Sequence, residues 1–321
     1  MIRLALAVVA FALLAGACGG DDDASTGGGG SGPTKLTVQE TAGVPSAFVG
    51  FGIEKGIFDR QGLEIELQAV QGGATAIPAL VNGDVQVAGS NVVSLLLAAG
   101  KGVPIRAIAG GTSAKGEGEK DFGALLIRGA GDIRRPADLE GKTVAVNTLE
   151  NITEVVVKAA LEKDGVDVAT LKLSEVPFPE MGPALEKGDV DAAFSIEPFV
   201  TQSVGDGAAV LNYSYVETEG GMQVGAYAAT IPFAEENTDA IRRFQAAIRD
   251  TAEYVTANEA EFRTFLSERA EIAPALAKRI VLPVWTGEVD AESVQTTSDL
   301  MERYGLVEQA VPADKLVGGT G

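Results

Sequence analysis

Two carboxylates spaced i, i+2, Asp189 and Asp191, and a third at Glu197 are the side chains best disposed for acid–base or metal chemistry. Residues two apart in a strand share a face, so Asp189 and Asp191 could hold a cation or share a proton. Gln86 replaces Asp191 in a second copy of the same motif, and no third ligand is near in sequence, which favours a solvated strand entrance. Glu197, in SIEPF over 195–199, follows an expected strand and precedes a proline suited to a first helical turn. Its carboxylate can face a ligand amine or amidine, or it can cap that helix; both readings stand. EGKT over 140–143 mimics the end of a phosphate-binding loop but runs into a strand and lacks the first glycine, so it reads as a polar turn.

The residue types that are missing exclude more than the motifs propose. With 0 His and 1 Cys in 321 residues, His-dependent bases, Ser-His-Asp and Cys-His arrangements, His-containing zinc sites and intramolecular disulfides are all excluded. Lys+Arg number 25 against Asp+Glu 45, a net charge of −20, so there is no basic footprint for nucleic acid. No cofactor or metal is expected. The 46% hydrophobic and 22% charged content is that of a folded globule rather than a disordered chain.

Residues 1–17, MIRLALAVVAFALLAGA, carry one charge at Arg3 and then an apolar run too short to span a bilayer, as in a secretory signal peptide. LAGAC over 14–18 resembles the bacterial lipobox, which implies cleavage and lipidation at Cys18. Two or three acyl chains there would hold the protein firmly on the extracytoplasmic side of the membrane. Residues 18–34 then supply that cysteine and a flexible Gly/Asp/Ser linker.

From residue 35 onward, short β-branched runs alternate with helical stretches, the α/β pattern. Strands are expected over 35–41, 64–70, 85–89, 105–110, 122–128, 143–146, 172–176 and 191–195. Helices are expected from a cap at Ser46 and over 75–81, 92–99, 153–164 and 181–186, with four more in the last third. An internal repeat organises these elements. ALVNGDVQVA over 79–88 matches ALEKGDVDAA over 184–193 at six of ten positions, and Ser90 matches Ser195. Two lobes of like topology follow, with Ser90 and Ser195 at the carboxyl ends of strands where such sheets bind ligands. Helix starts at 43–46, 72–75, 90–91 and 147–153 could offer backbone N–H groups to an anion. Phe178, Phe199, Tyr213 and Trp285 could stack on a ligand, though wall or core packing is their commoner role.

FGIEKGIFDRQGLEIEL over 51–67 resembles the helix-then-strand signature of the nitrate/sulfonate/taurine/thiamine-precursor binding proteins of ABC importers. DLEGKTVAV over 138–146 resembles that family's second-lobe opening, and 184–193 followed by Ile196-Glu197-Pro198-Phe199 resembles a further segment of it. The resemblance implies an α/β, type II periplasmic-binding fold. Two α/β lobes with mixed sheets would be joined by two crossing strands, 122–128 outward and 223–229 back, around a ligand cleft. Lobe 1 would comprise 35–125 plus 226–321, and lobe 2 would comprise 126–225. The ligand-contacting positions it implies are Val44, Pro45, Ser46, Gly73, Ala74, Ser90 and Asn91 in the first lobe. In the second lobe they are Asn147, Thr148, Asn151 and Glu197.

The implied function is a non-catalytic, monomeric solute-binding lipoprotein. It would capture a sulfonate/taurine-like or thiamine-pyrimidine-like molecule and deliver it to an ABC permease with its ATPase subunit. Enzymes of this family use His or Cys, so their chemistry does not carry over. Two rivals remain: an enzyme on the same scaffold built around Glu197, and a ligand-sensing receptor not coupled to transport.

Overall fold

A computed structural model of the chain describes residues 32–318, apart from 71, 73, 74 and 271. The expected signal peptide, Cys18, most of the expected linker, Gly73 and Ala74 lie outside the described residues. In chain order, β1 (Thr34–Thr41), α1 (Val44–Glu54), α2 (Ile57–Arg60), β2 (Leu63–Val70), α3 (Ala76–Asn82), β3 (Val87–Asn91), α4 (Val92–Gly100) and β4 (Ile105–Gly110) come first. A short β5 (Thr112–Ser113) leads to β6 (Gly123–Arg128), β7 (Thr143–Val146), α5 (Ile152–Lys163), β8 (Lys172–Glu175), α6 (Phe178–Lys187) and β9 (Ala192–Ile196). Then follow α7 (Phe199–Gly205), β10 (Ala208–Asn212), α8 (Ser214–Thr218), β11 (Gly225–Thr230), α9 (Ile231–Glu236), α10 (Thr238–Ala257) and α11 (Glu259–Glu268). The chain closes with α12 (Pro274–Ala277), β12 (Val284–Trp285), α13 (Ala291–Arg303) and α14 (Asp314–Val317).

The strands form two five-stranded sheets of matching order, β2-β1-β3-β11-β4 and β8-β7-β9-β6-β10. In each, three parallel strands are followed by an antiparallel one that arrives from the other side of the chain: β11 in the first sheet, β6 in the second. The repeat read from sequence is the unit that ends α3 and starts β3, and again ends α6 and starts β9. Gly83 and Gly188 adopt the left-handed conformation at φ 81° and 82°, which a side chain would strain. Asp84 and Asp189 then donate their backbone N–H to Ala79 and Ala184. Gln86 Oε1 accepts from Thr37 N, and Asp191 Oδ2 accepts from Thr143 N, each at 2.9 Å. Asp191 therefore pins a neighbouring strand, as Gln86 does, and no acid–base pair is built there. Among the described residues no group of three or more metal-ligating side chains could hold an ion.

Two sequence expectations shift, and the polar turn expected before β7 is present. The passage out of the first sheet lies in residues 111–122, because β6 pairs with β9 from Gly123 onward; the expected outward crossing at 122–128 is a strand of the second sheet. The helix expected to be capped by Ser46 begins at Val44, behind Gly43 at φ 104°, since Pro45 is pre-set for a first turn. Ser46 Oγ instead donates to Gly43 O at 3.1 Å. The turn over 136–139 is a short 3-10 turn whose Asp138 accepts from the backbone of Arg134 and Arg135, which leaves no phosphate cradle.

On one side of the first sheet, α1, α10 and α11 bury an aromatic cluster in which Phe48 stacks on Trp285 at 4.9 Å and Phe51 meets Phe262 and Phe265 edge-on. Trp285 thus belongs to the core rather than to a cleft. A second apolar cluster runs without a break from α4 through α5 and α13 into the second sheet, so the lobes share a core on that side. No helix among the described residues is long and apolar enough to cross a membrane.

Candidate functional site

An inner cavity of about 70 Å³ lies between the carboxyl ends of the two sets of strands. Glu40 and Thr41 end β1, Ser90 and Asn91 end β3, and Ile196 ends β9, all on its wall. Asn147 and Asn151 reach it from the loop between β7 and α5, while Thr112, Phe122 and Tyr215 come from the segments that pass between the sheets. It opens into a wider mouth of about 830 Å³ edged by Gly43, Thr148, Glu175, Phe178, Phe199 and Leu276.

Most of the expected positions converge here. Pro45, Ser90, Asn91, Asn147 and Asn151 line the inner cavity, and Thr148 lines the mouth. Val44 does not; it is buried in the aromatic-side core. Ser46 serves the first turn of α1 and lines neither space. Glu197 is the larger correction. Its Oε1 accepts from Thr201 Oγ1 at 2.7 Å and from Val281 N at 2.9 Å, and its Oε2 accepts from Thr201 N at 3.1 Å. Of the two readings open in sequence, helix capping is the one the fold adopts. Burial raises its carboxyl above the ordinary glutamate range, against the pull of those donors.

The floor of the cavity is a polar bridge between the lobes. Asn91 Oδ1 caps α4 by accepting from Ser94 N at 2.9 Å, and Asn151 Nδ2 donates to Ser94 Oγ at 3.2 Å. Thr153 Oγ1 donates to Asn147 Oδ1 at 2.8 Å, which fixes the amide at the start of α5. Phe122 and Tyr215 stack at 5.1 Å and close one wall.

The charge in this cavity comes from a residue the sequence reading passed over. Glu40, 7% exposed, is the only carboxylate among the described lining residues of the inner cavity, which carry no Lys or Arg. Its Oε1 accepts from Thr41 N at 2.6 Å, and the Tyr227 hydroxyl donates to its carboxylate. Burial pushes its carboxyl up to about 7 against both donors. The available signal was phase: Glu40 falls on the same face of β1 as the buried Leu36 and Val38. Ser90 is also buried, and its Oγ has no hydrogen-bond partner. Phe122 was legible only as the start of the expected strand over 122–128, and Tyr215 sits in α8, whose five residues are too few for a helical period to emerge.

A family model described as NMT1/THI5 like matches residues 46–261. The chain belongs to that family. This NMT1/THI5-like chain is 26% identical over 197 residues to the taurine-binding periplasmic protein of Escherichia coli (strain K12), covering 61% of this chain and 59% of that one. The match thus spans 59% of the relative's length. Among solved structures, the alkanesulfonate-binding protein SsuA from Xanthomonas axonopodis pv. citri bound to MOPS superposes with a TM-score of 0.74 at 16% identity. That match covers 89% of this chain and 99% of that one. The aliphatic sulphonate binding protein SsuA from Escherichia coli superposes at 0.72 and 17% identity, over 89% and 92%. The NMT1/THI5-like chain therefore has the α/β periplasmic-binding fold with two mixed sheets that its motifs implied.

Proposed function

We propose that this protein is a non-catalytic extracytoplasmic receptor, tethered through a lipidated Cys18, that closes on a small organic solute and passes it to the permease of an ABC importer. The observation that carries this reading is the cavity itself, walled by the strand ends of both sheets and floored by the Asn151–Ser94 bond between them. A site assembled from two lobes binds more tightly when they meet, and that difference in affinity couples occupancy to shape. The carboxylate once considered for catalysis, Glu197, is held by three protein donors away from the cavity, which argues against an enzyme built around it.

A small sulfonate of the taurine kind is the leading ligand, supported by what the matched relatives are named for binding. An aminopyrimidine of the thiamine-precursor kind is the second, supported by a carboxylate in the cavity without a cation beside it. The contacting residues would be Pro45, Ser90, Asn91, Asn147, Thr148 and Asn151, with the site shared between a first lobe carrying β1 and a second carrying β7. The test is a thermal-shift screen of the purified full chain against alkyl sulfonates, taurine, aminopyrimidines and polyamines. A ligand at 1,000 times its Kd stabilises the fold by about 4 kcal/mol, so a binder is readily seen. No shift with any of the four classes, from protein shown to be free of bound solute, would remove the receptor reading.

A further inference from the structure

The inner cavity has room for only part of an ordinary solute. Its volume of about 70 Å³ falls short of the roughly 300–1,000 Å³ usual for a ligand pocket, whereas the mouth, at about 830 Å³, lies within that range. The two spaces also differ in chemistry. The inner cavity is polar: Asn147 and Asn151 stand on its wall, and the Ser90 hydroxyl, buried there, has no partner. The mouth is apolar on both sides. Ala270, Ile272 and Leu276 come to it from α12 and the segment before it, and Pro177, Phe178 and Phe199 from the starts of α6 and α7. Glu175 is the only charged residue among its described lining. Phe178 lines both spaces and so marks where one passes into the other.

Bonds between the lobes hold the two apolar walls where they are. Glu197, just before Phe199, accepts from Val281 N, just beyond Leu276, at 2.9 Å. Arg263 Nη1 donates to Ala277 O at 2.7 Å and to Ile280 O at 3.1 Å, which fixes the Leu276 wall on α11. On the rim, a Cβ on Gly43 would lie 4.0 Å from Pro198 Cδ, and one on Gly72 would lie 3.8 Å from Asn147 Nδ2, both in van der Waals range. The lobes thus already meet around the mouth, and its apolar walls stand apart where they meet. Facing apolar surfaces of this kind gain free energy when an apolar group takes the place of water between them.

We propose that the solute is an amphiphile, with a compact polar head in the inner cavity and an extended alkyl or aryl body in the mouth between Leu276 and Phe199. The inference rests on the receptor reading and deepens it by naming the part of the solute the mouth selects. A solute as short as taurine leaves the mouth walls in water, whereas each further methylene buried there raises affinity by up to about fourfold.

The test varies the body at constant head, titrated calorimetrically into the full chain. Methane-, butane- and octanesulfonate form one series, and 4-aminopyrimidines carrying methyl, butyl and octyl groups on carbon 5 form the other. The expected result is one-to-one binding in one series, with affinity rising about two- to fourfold per methylene, so that octyl binds at least about 100-fold more tightly than methyl. Leu276→Ser should cut the octyl-to-methyl ratio about five- to tenfold. Ala273→Trp, at an exposed position on the same wall, should end the gain before octyl by filling the space. The wild-type series stands whether or not either variant folds. Equal binding of methyl, butyl and octyl overturns the inference and leaves the receptor reading intact. A gain that survives both variants puts the body outside the mouth and overturns it too. Failure of all six probes to bind overturns the inference together with both ligand classes.

Discussion

Glu40 is a liability to the empty protein. Its carboxyl, raised to about 7 by burial, keeps a proton that the unfolded chain gives up near the ordinary glutamate value of 4.5. The folded state therefore binds more protons than the unfolded state between those values, and stability falls as pH rises through that window. The full effect is about 3 kcal/mol at pH 8. Asp121, raised to about 6 by burial, adds a loss of the same sign between its ordinary 3.8 and 6. Glu40→Gln should remove the upper part of this slope, making the ligand-free protein more stable than wild type at pH 8 and no more stable at pH 4. Urea unfolding at the two pH values checks it, and equal stability of the two proteins at pH 8 would refute the assignment. At this scale the sequence was a partial guide. Pro45, Ser90, Asn91, Asn147 and Asn151 were legible because they follow strands in a recognisable order. Glu40 was not, since a charged residue in phase with core positions looks like an ordinary strand end until its neighbour on β3 proves to be Gly89, whose missing side chain leaves room for the carboxylate. Glu197 misled for the opposite reason: it follows a strand as a ligand contact would, but the two partners that occupy it, Thr201 and Val281, lie 4 and 84 residues away.

Among the elements, the α1–α10 contact has little room to spare. A Cβ at Gly52 would lie 2.6 Å from Thr251 Oγ1 and 2.8 Å from the Phe58 ring, and Thr251 is wholly buried with its hydroxyl bonded to Ala247 O. Gly52→Ala gains about 1 kcal/mol of helix propensity but forces these neighbours apart, for a net loss of about 1–2 kcal/mol. Adding Thr251→Ala should recover part of that loss in thermal unfolding; an additive double mutant would deny the contact. The strand pins supply a second case. Asp191→Ala leaves Thr143 N unpaired in the second sheet and should cost about 1–3 kcal/mol, while Asp191→Asn keeps an acceptor and should cost less. Elements with clean periodicity, such as β1 and α4, were read close to their true limits. The short helices α7 and α8 and strand β10 were not, because five to seven residues hold too few turns or alternations for a period to emerge.

At the scale of the whole molecule, several polar links join the lobes, among them Asn151 to Ser94 on the cavity floor and Glu197 to Val281 N, which ties the end of β9 to the segment beyond α12, while Tyr304 and Arg303 of α13 also reach Glu162 of α5. The second link lies outside the cavity, so it can be cut without touching the proposed ligand contacts. Glu197→Ala should cost about 3 kcal/mol of stability, since it frees a buried backbone donor and the first turn of α7. It should also enlarge the ligand-free molecule's radius of gyration in small-angle X-ray scattering, with saturating ligand restoring the wild-type value. An unchanged profile would show that the link does not restrain the lobes. The two-lobed plan itself was legible from one ten-residue repeat, whereas the exchange of β11 and β6 between sheets left no mark in either copy.

That exchange sets an order of assembly. The second sheet is drawn from one unbroken stretch, β6 to β10, whereas the first lacks its fourth strand until residue 225 and beyond have been made, and β4 joins that sheet only through β11. A chain emerging from its N-terminus can thus complete the later lobe while the earlier one is still open, with β3 left as a bare edge awaiting a strand from the far side of the molecule. Pulsed hydrogen exchange during refolding should protect the amides of β7 and β9 before those of β4. Any factor that shields this protein in transit would find its target in the half that was synthesised first.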